Sequence, residues 1–186
     1  MIRKEAMKIV LEKITSSPII SANGFMSRDL FELKEKNSNF YMIGSMGLAS
    51  SIGLGVALKN PRKKIFIFDG DGNILMNLGS LVTIGNLQPK NLVHIIFDNN
   101  SHESTGGQPT ASNKISIAEF GKICNYKVFT VTNQNSLRNC LKKLQKINQS
   151  IMIVIKISKS DVKSKRVSLK PELIKYRFMK SLIEKQ

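Results

Sequence analysis

A Gly70-Asp71-Gly72 triplet follows an apolar run that ends at Phe68, and an asparagine pair, Asn99-Asn100, follows another that ends at Phe97. Carboxylate and carboxamide oxygens are hard ligands, suited to a divalent cation such as Mg²⁺ and to its bridging of a phosphate. The glycines beside Asp71 let backbone N–H groups come close to such a phosphate. Residues 73–98 separate the motifs, room for one helix and one return strand. A carboxylate and a carboxamide are thus expected at the ends of neighbouring strands.

Positioning them requires a frame, and the chain alternates apolar runs with helical periodicity along most of its length. A first helix is expected over 2–14, with Ala6, Ile9, Val10 and Ile14 inward. A short strand over 18–21 precedes the turn Ala22-Asn23-Gly24. Ser27 is expected to cap a helix running to Leu33, with Asp29 and Glu32 in its early turns, where carboxylates suit the dipole. An extended segment over 40–43 leads to Gly44-Ser45-Met46-Gly47, which opens a small-residue helix, LASSIGLGVALKN. Gly53 and Gly55 weaken that helix and call for close packing in return. Strands follow over 64–68 and 92–97, with one helix over 73–87 between them, its inward residues Leu75, Leu78, Val82 and Leu87. His94 reads as a structural residue inside its strand. A polar loop spans 101–114. A helix over 117–124, a strand over 127–131, a helix over 136–147 and a strand over 151–157 come next. Pro171 suits the first turn of a final helix to about Glu184. Right-handed crossovers turn this order into an α/β fold, a doubly wound parallel sheet with helices on both faces. Ligands of such sheets bind beyond the carboxyl ends of the strands. Ser21, the 44–47 turn, the 70–73 turn and the 99–107 loop all fall there.

With 186 residues the chain is sized for one domain over 1–186, with 159–186 a Lys-rich C-terminal tail and helix. Lys and Arg number 29 against 13 Asp and Glu, a net charge of +16. Residues 156–186 hold ten of those basic residues. They read as a solvated face or as a docking surface for an acidic partner. There is no Trp and no RNA- or DNA-binding signature, so no nucleic-acid partner is expected. No apolar run approaches the roughly 18 residues that span a bilayer, and the N-terminus lacks a signal peptide's apolar stretch. A cytoplasmic protein without membrane contact is the expectation. Cys124 and Cys140 have no CxxC partner and read as reduced, mostly buried thiols.

At the GDG and NN motifs the chain resembles the thiamine diphosphate-dependent decarboxylases, whose diphosphate-binding motif is GDG, about 25 to 30 residues, then NN. The likeness spans about 18–158 and is most specific over 40–110. GSMGLASSIGLGVAL, FDGDGNILMNLGSLVTIGNLQPKNLVHIIFDNN and HESTGGQPT are similar to the diphosphate-binding half of the phosphonopyruvate decarboxylases, with the sulfopyruvate decarboxylase β subunits close by. The resemblance implies thiamine diphosphate and Mg²⁺ as cofactors. Asp71, the side-chain oxygen of Asn100 and the backbone carbonyl of His102 then hold the metal. Gly70, Gly72 and Asn73 meet the diphosphate, with Ser21 or Asn23 from the first strand's loop and Gly44 and Ser45 beside Met46. Met46 props the cofactor in its bent form. The cofactor carries the chemistry, accepting the electron pair released with CO₂ from a small 2-oxo acid. His102, Ser104 and Gln108 are candidates to meet the substrate, and Glu103 is expected to face backbone or solvent, since it would repel an anion. Ser101 stands where the family usually has glycine.

The family also needs a glutamate from a pyrimidine-binding domain, and this chain has room for only one domain. The resemblance therefore implies a split enzyme, a hetero-oligomer whose pyrimidine-domain α subunit supplies that Glu. No catalytic group is assigned to this chain itself. Phosphonopyruvate is the expected substrate, giving phosphonoacetaldehyde and CO₂, with sulfopyruvate as the alternative. A non-catalytic cofactor-binding or assembly module and a basic nucleic-acid-binding protein are the readings from other classes.

Overall fold

Runs such as 65–68, 92–97 and 151–155 are nearly continuous in hydrophobicity rather than alternating, the pattern of strands buried on both faces. In a computed structural model, which describes residues 1–160 and 163–183, these runs become the centre of a parallel sheet. The elements in chain order are α1 (Arg3–Lys13), β1 (Ile19–Ser21), α2 (Phe25–Leu33), β2 (Asn39–Tyr41), α3 (Ala49–Lys59) and β3 (Ile65–Gly70). Then come α4 (Asp71–Leu75), α5 (Gly79–Leu87), β4 (Leu92–Asp98), β5 (Ser101–His102), β6 (Gln108–Pro109) and α6 (Ile117–Ile123). β7 (Lys127–Val131), α7 (Gln134–Lys143), β8 (Ile151–Lys156) and α8 (Pro171–Ile183) complete the described chain.

The sheet order is β2-β1-β3-β4-β8-β7, every pairing parallel, and β5 and β6 form a separate antiparallel pair. Helices flank the sheet as expected: α1 packs on α2 and α7, and α3 on β3 and α5. Ile67, Phe68, Ile95 and Ile153 are fully buried in the central strands, each side chain contributing about 1.5–3 kcal/mol. Register matters for the site. Gly70 pairs with Phe97, so the turns after β3 and β4 leave the sheet side by side. The chain order reverses between β1 and β3, which opens a crevice where the loops after them diverge.

Several expectations change. The single helix over 73–87 is two, α4 and α5, joined by a turn in which Asn77 Nδ2 donates to the Gly47 carbonyl (3.1 Å). The break resets the helical phase. Ile74, Leu81 and Ile84 face the core, whereas Val82 is 63% and Leu87 48% exposed. Gly24, not Ser27, caps α2; Ser27 lies inside the helix and its hydroxyl donates back to the Ala22 carbonyl (2.7 Å). Close packing holds for Gly53, where an added Cβ would lie 2.4 Å from Ile67 Cδ1, but not for Gly55, which has nothing within 4 Å. The Lys-rich C-terminal segment is no free tail over its described residues. Ile174 and Phe178 of α8 are buried, and the Phe178 ring meets Phe40, next to the β2 edge, at 5.4 Å. The expected end of that helix at Glu184 lies outside the described residues.

Both cysteines are free thiols. Burial pushes the Cys140 thiol up to about 11, with Lys143 a smaller opposing influence, and burial also raises Cys124. At pH 8 only about a thousandth of Cys140 is thiolate, and the thiolate is the nucleophile. Iodoacetamide at pH 8 should leave Cys140 unmodified in the folded chain and modify it in urea, as read by peptide mass spectrometry. Rapid native labelling would contradict this burial.

Candidate functional site

The crevice is a cleft of about 630 Å³ lined by Asn23, Phe25, Met26, Met46, the 70–73 turn, Phe97, Asn99 and residues 101–105, with Arg3 on one wall. Four separated stretches therefore meet where the sequence placed them. An added Cβ on Gly72 would come within 2.6 Å of the His102 ring, so the glycine lets that ring lie directly against the start of α4.

Asp71 begins α4 and is 2% exposed. Its Oδ2 accepts from Thr110 Oγ1 at 2.5 Å and from Ser112 Oγ at 3.0 Å. Burial pushes its carboxyl above the ordinary range; the Thr110 hydrogen bond opposes this and the nearby Asp98 carboxylate adds to it. Asn100 has a left-handed backbone, φ 57°. Its Nδ2 donates to the same Ser112 Oγ at 2.8 Å, and no donor among the described residues reaches its Oδ1. Asp98 accepts from the Asn100 N–H (3.1 Å) and pairs with Lys156. One buried carboxylate and one amide oxygen without a donor, bridged by one hydroxyl, form a donor set that a hard divalent cation fits.

A second buried network sits behind Met46. Asn73 Nδ2 donates to Asp69 Oδ1 (2.5 Å), while Asn73 Oδ1 accepts the Gly47 N–H (2.9 Å). Asp69 Oδ2 lies 3.0 Å from His94 Nε2, and both residues are fully buried. His94 is thus structural, as expected, but it belongs to a polar chain that ends on the Met46 turn.

Some expected site residues are placed elsewhere. Ser21 is fully buried in β1 and does not line the cleft. Gly44 and Ser45 line a neighbouring apolar groove with Ile43, Leu48 and Ile52; only Met46 of that turn enters the cleft. Asn73 borders the cleft, but its side chain is committed to Asp69 and Gly47. The His102 carbonyl accepts from Gly107 N (3.0 Å) and Thr105 N (3.2 Å), so it faces the turn. Ser104 borders the cleft, but Gln108 lies exposed on β6, outside it. Glu103 faces neither bulk solvent nor backbone alone. Its Oε2 accepts from Arg3 Nη1 (2.5 Å) and Asn99 Nδ2 (2.9 Å), and its Oε1 from Ser160 N (2.9 Å). Arg3 Nε also donates to Asp29 (2.7 Å), which draws Asp29 out of a simple dipole role.

Arg3, Asp98, Thr110 and Ser112 are site residues that sequence reasoning missed. Arg3 reaches the cleft because Ile2 bridges Ser158 in parallel just before α1 begins, a long-range pairing without periodic signal. Asp98 had one available clue, its place directly before Asn99-Asn100.

Comparison with known proteins adds four findings. Residues 22–156 match the family described as "Thiamine pyrophosphate enzyme, C-terminal TPP binding domain". Sulfopyruvate decarboxylase subunit beta of Methanocaldococcus jannaschii is 39% identical over 97% of this chain and 96% of its own length. Phosphonopyruvate decarboxylase of Streptomyces viridochromogenes is 41% identical over 72% of this chain, but over only 34% of itself. In fold, a solved thiamin diphosphate-dependent enzyme from Mycobacterium smegmatis superposes with a TM-score of 0.72 at 16% identity, over 86% of this chain and 32% of that one.

Proposed function

The chain belongs to the thiamine pyrophosphate enzymes, as their C-terminal TPP-binding domain, and from that premise we propose that it is the diphosphate- and metal-binding subunit of a two-subunit sulfopyruvate decarboxylase. The observation that carries this reading is the meeting of Asp71 and Asn100 across Ser112 at the carboxyl ends of the neighbouring strands β3 and β4. Asp71 and Asn100 would hold Mg²⁺; the His102 carbonyl would join them only by giving up its turn hydrogen bonds. Asn23, Gly70, Gly72 and Asn73 border the space for a diphosphate, and Met46 that for the rings. Thiamine diphosphate, when bound, supplies the sink for the electron pair released with CO₂. Phe25, Met26, Met46 and Phe97 exclude water from that side, and His102 and Ser104 stand towards the substrate.

Sulfopyruvate takes the place of phosphonopyruvate, the substrate expected from the 102–110 loop. The sulfopyruvate relative matches nearly end to end, whereas the phosphonopyruvate enzyme aligns over a third of its length. The reaction would convert sulfopyruvate and a proton to sulfoacetaldehyde and CO₂. Phosphonopyruvate stays as the second reading, on the local 41% identity.

The name "subunit beta" of the full-length relative supports a partner, and so does the cleft. Among the described residues its only glutamate is Glu103, already held by Arg3, Asn99 and Ser160. A pyrimidine-domain subunit would bring the missing carboxyl. In a chain of net charge +16, residues 39–58 and 72–89 contain no charged side chain. They include α5 and all of α3 but its last residue, Lys59; the two helices pack together, and Leu48, Leu58, Met76 and Val82 of these stretches are exposed. This uncharged side is where the partner would dock. The reading takes 1–186 as one domain and the protein as cytoplasmic; no helix among the described residues is long and apolar enough to cross a membrane.

The test combines the full chain with a candidate pyrimidine-domain subunit, thiamine diphosphate and Mg²⁺, and offers both 2-oxo acids. The pair should release sulfoacetaldehyde while the isolated chain does not turn over. Turnover by the isolated chain would refute the split, and no product from either acid would refute the decarboxylase.

A further inference from the structure

Ser112 lies outside both motifs, yet its hydroxyl sits at the centre of the site. Its oxygen is 2.8 Å from Asn100 Nδ2, 3.0 Å from Asp71 Oδ2, 2.9 Å from Asp98 Oδ1 and 2.8 Å from Thr110 Oγ1. A hydroxyl has one proton and two lone pairs. Thr110 spends its proton on Asp71 at 2.5 Å. The Ser112 proton goes to one of the two carboxylates, since hydrogen bonds to charged acceptors are the stronger ones. Only lone pairs are then left facing Asn100. An amide can meet a lone pair only with its NH₂ end, so Asn100 is held one way round and its Oδ1 is turned away from Ser112. This argument fixes the amide's orientation by chemistry rather than by the atom labels. Thr110 donates to Asp71 Oδ2, and the Ser112 oxygen lies 3.0 Å from that same atom, so the two side chains together bound that edge of the carboxylate. Ser112 itself is buried, so water does not readily replace it.

We propose that Ser112 is the positioning residue of the metal site, presenting the Asn100 oxygen and the Asp71 carboxylate together to the cation. The inference rests on the metal-binding reading of Asp71 and Asn100 and adds what makes them act as a pair. It also explains why the chain after Asn100 turns back: the backbone N–H of Thr110 donates to the Asn100 carbonyl (3.1 Å), which returns Ser112 to its ligands.

The test is Mn²⁺ binding, read by electron paramagnetic resonance of the free ion, to the assembled two-subunit protein with thiamine diphosphate present. Wild type should bind. Ser112→Ala should bind 10- to 100-fold more weakly, the effect of losing a partner behind a metal ligand, while Ser112→Thr, which keeps the hydroxyl, should bind as wild type does. Adding Asn100→Asp to Ser112→Ala should recover at least part of the affinity, because a carboxylate has two equivalent oxygens and needs no orientation. A merely structural role for Ser112 predicts no such rescue. Ser112→Cys, similar in shape but a weak hydrogen-bonding group, carries the same expectation should Ser112→Ala fail to fold. Unchanged affinity in Ser112→Ala, or a loss that Asn100→Asp does not relieve, overturns this inference and leaves the metal site standing. Absence of Mn²⁺ binding to wild type overturns the metal reading itself.

Discussion

Asp71→Asn should lower the metal affinity of the assembled enzyme by more than about 100-fold, beyond the range typical for residues behind a metal ligand, and abolish measurable decarboxylation with it. The substitution preserves shape and removes one charge. Its one amide oxygen can still accept from the hydroxyls that lie against Asp71 Oδ2, those of Thr110 and Ser112, while its NH₂ end takes the place of the oxygen offered to the cation. The same change should not harm the metal-free fold. Burial raises the Asp71 carboxyl above its ordinary value of 3.8, so the folded chain binds that proton more tightly than the unfolded chain does. Stability contributed by this group is therefore greatest at low pH and is lost as pH rises through 3.8 towards the raised value. At pH 7 the metal-free chain carries a buried carboxylate with Asp98 nearby, and Asn removes that burden. Metal-free Asp71→Asn should melt no lower than wild type at pH 7 and show a flatter dependence on pH. Wild-type affinity for Mn²⁺ in this variant would remove Asp71 from the metal site. A trade of stability for ligand binding is common at functional sites.

Asp69→Ala should cost the fold roughly 3 kcal/mol or more, the scale seen when one partner of a buried polar pair is deleted. Asp69 is fully buried and accepts from Asn73 Nδ2 and the Gly70 N–H, with His94 Nε2 at 3.0 Å. Alanine leaves these groups without a partner and without water, and each orphan is expensive. His94 is already stretched in this respect, since its Nδ1 is buried with no partner among the described residues. The damage should also reach function, because Asn73 holds the Gly47 N–H beside Met46. Urea denaturation gives the stability, and thiamine diphosphate titration of the assembled enzyme gives the second effect. Asp69→Asn retains one acceptor oxygen and should lose less on both. A stability loss below about 1 kcal/mol for Asp69→Ala would mean that the network is not energetically coupled.

Legibility followed the range of the physical signal. The strands at 64–68, 92–97 and 151–157 could be read within a residue or two, because continuous apolar runs bounded by polar residues report burial directly. The break between α4 and α5 could not. Propensity sums over a window, and the interruption depends on Asn77 reaching the Gly47 carbonyl from a distant turn. Val82 and Leu87 were assigned to the wrong face for that one reason. In the cleft, the Gly70–Asn73 and Asn99–Asn100 turns were legible because the ligand chemistry needs particular residue types at fixed spacing. Glu103 was misjudged because its counter-charge, Arg3, is 100 residues away.

Taken alone, the amino-acid order determined the parallel α/β fold, the family and the two motifs that bring Asp71 and Asn100 to neighbouring strand ends, since periodicity and short motifs are local properties of the chain. Tertiary structure alone decided which groups hold that pair in place. Ser112, Thr110, Arg3 and the Asp69–His94 contact act through hydrogen bonds between segments far apart in sequence. Such bonds become worth making only when the sheet and its loops have excluded water around them.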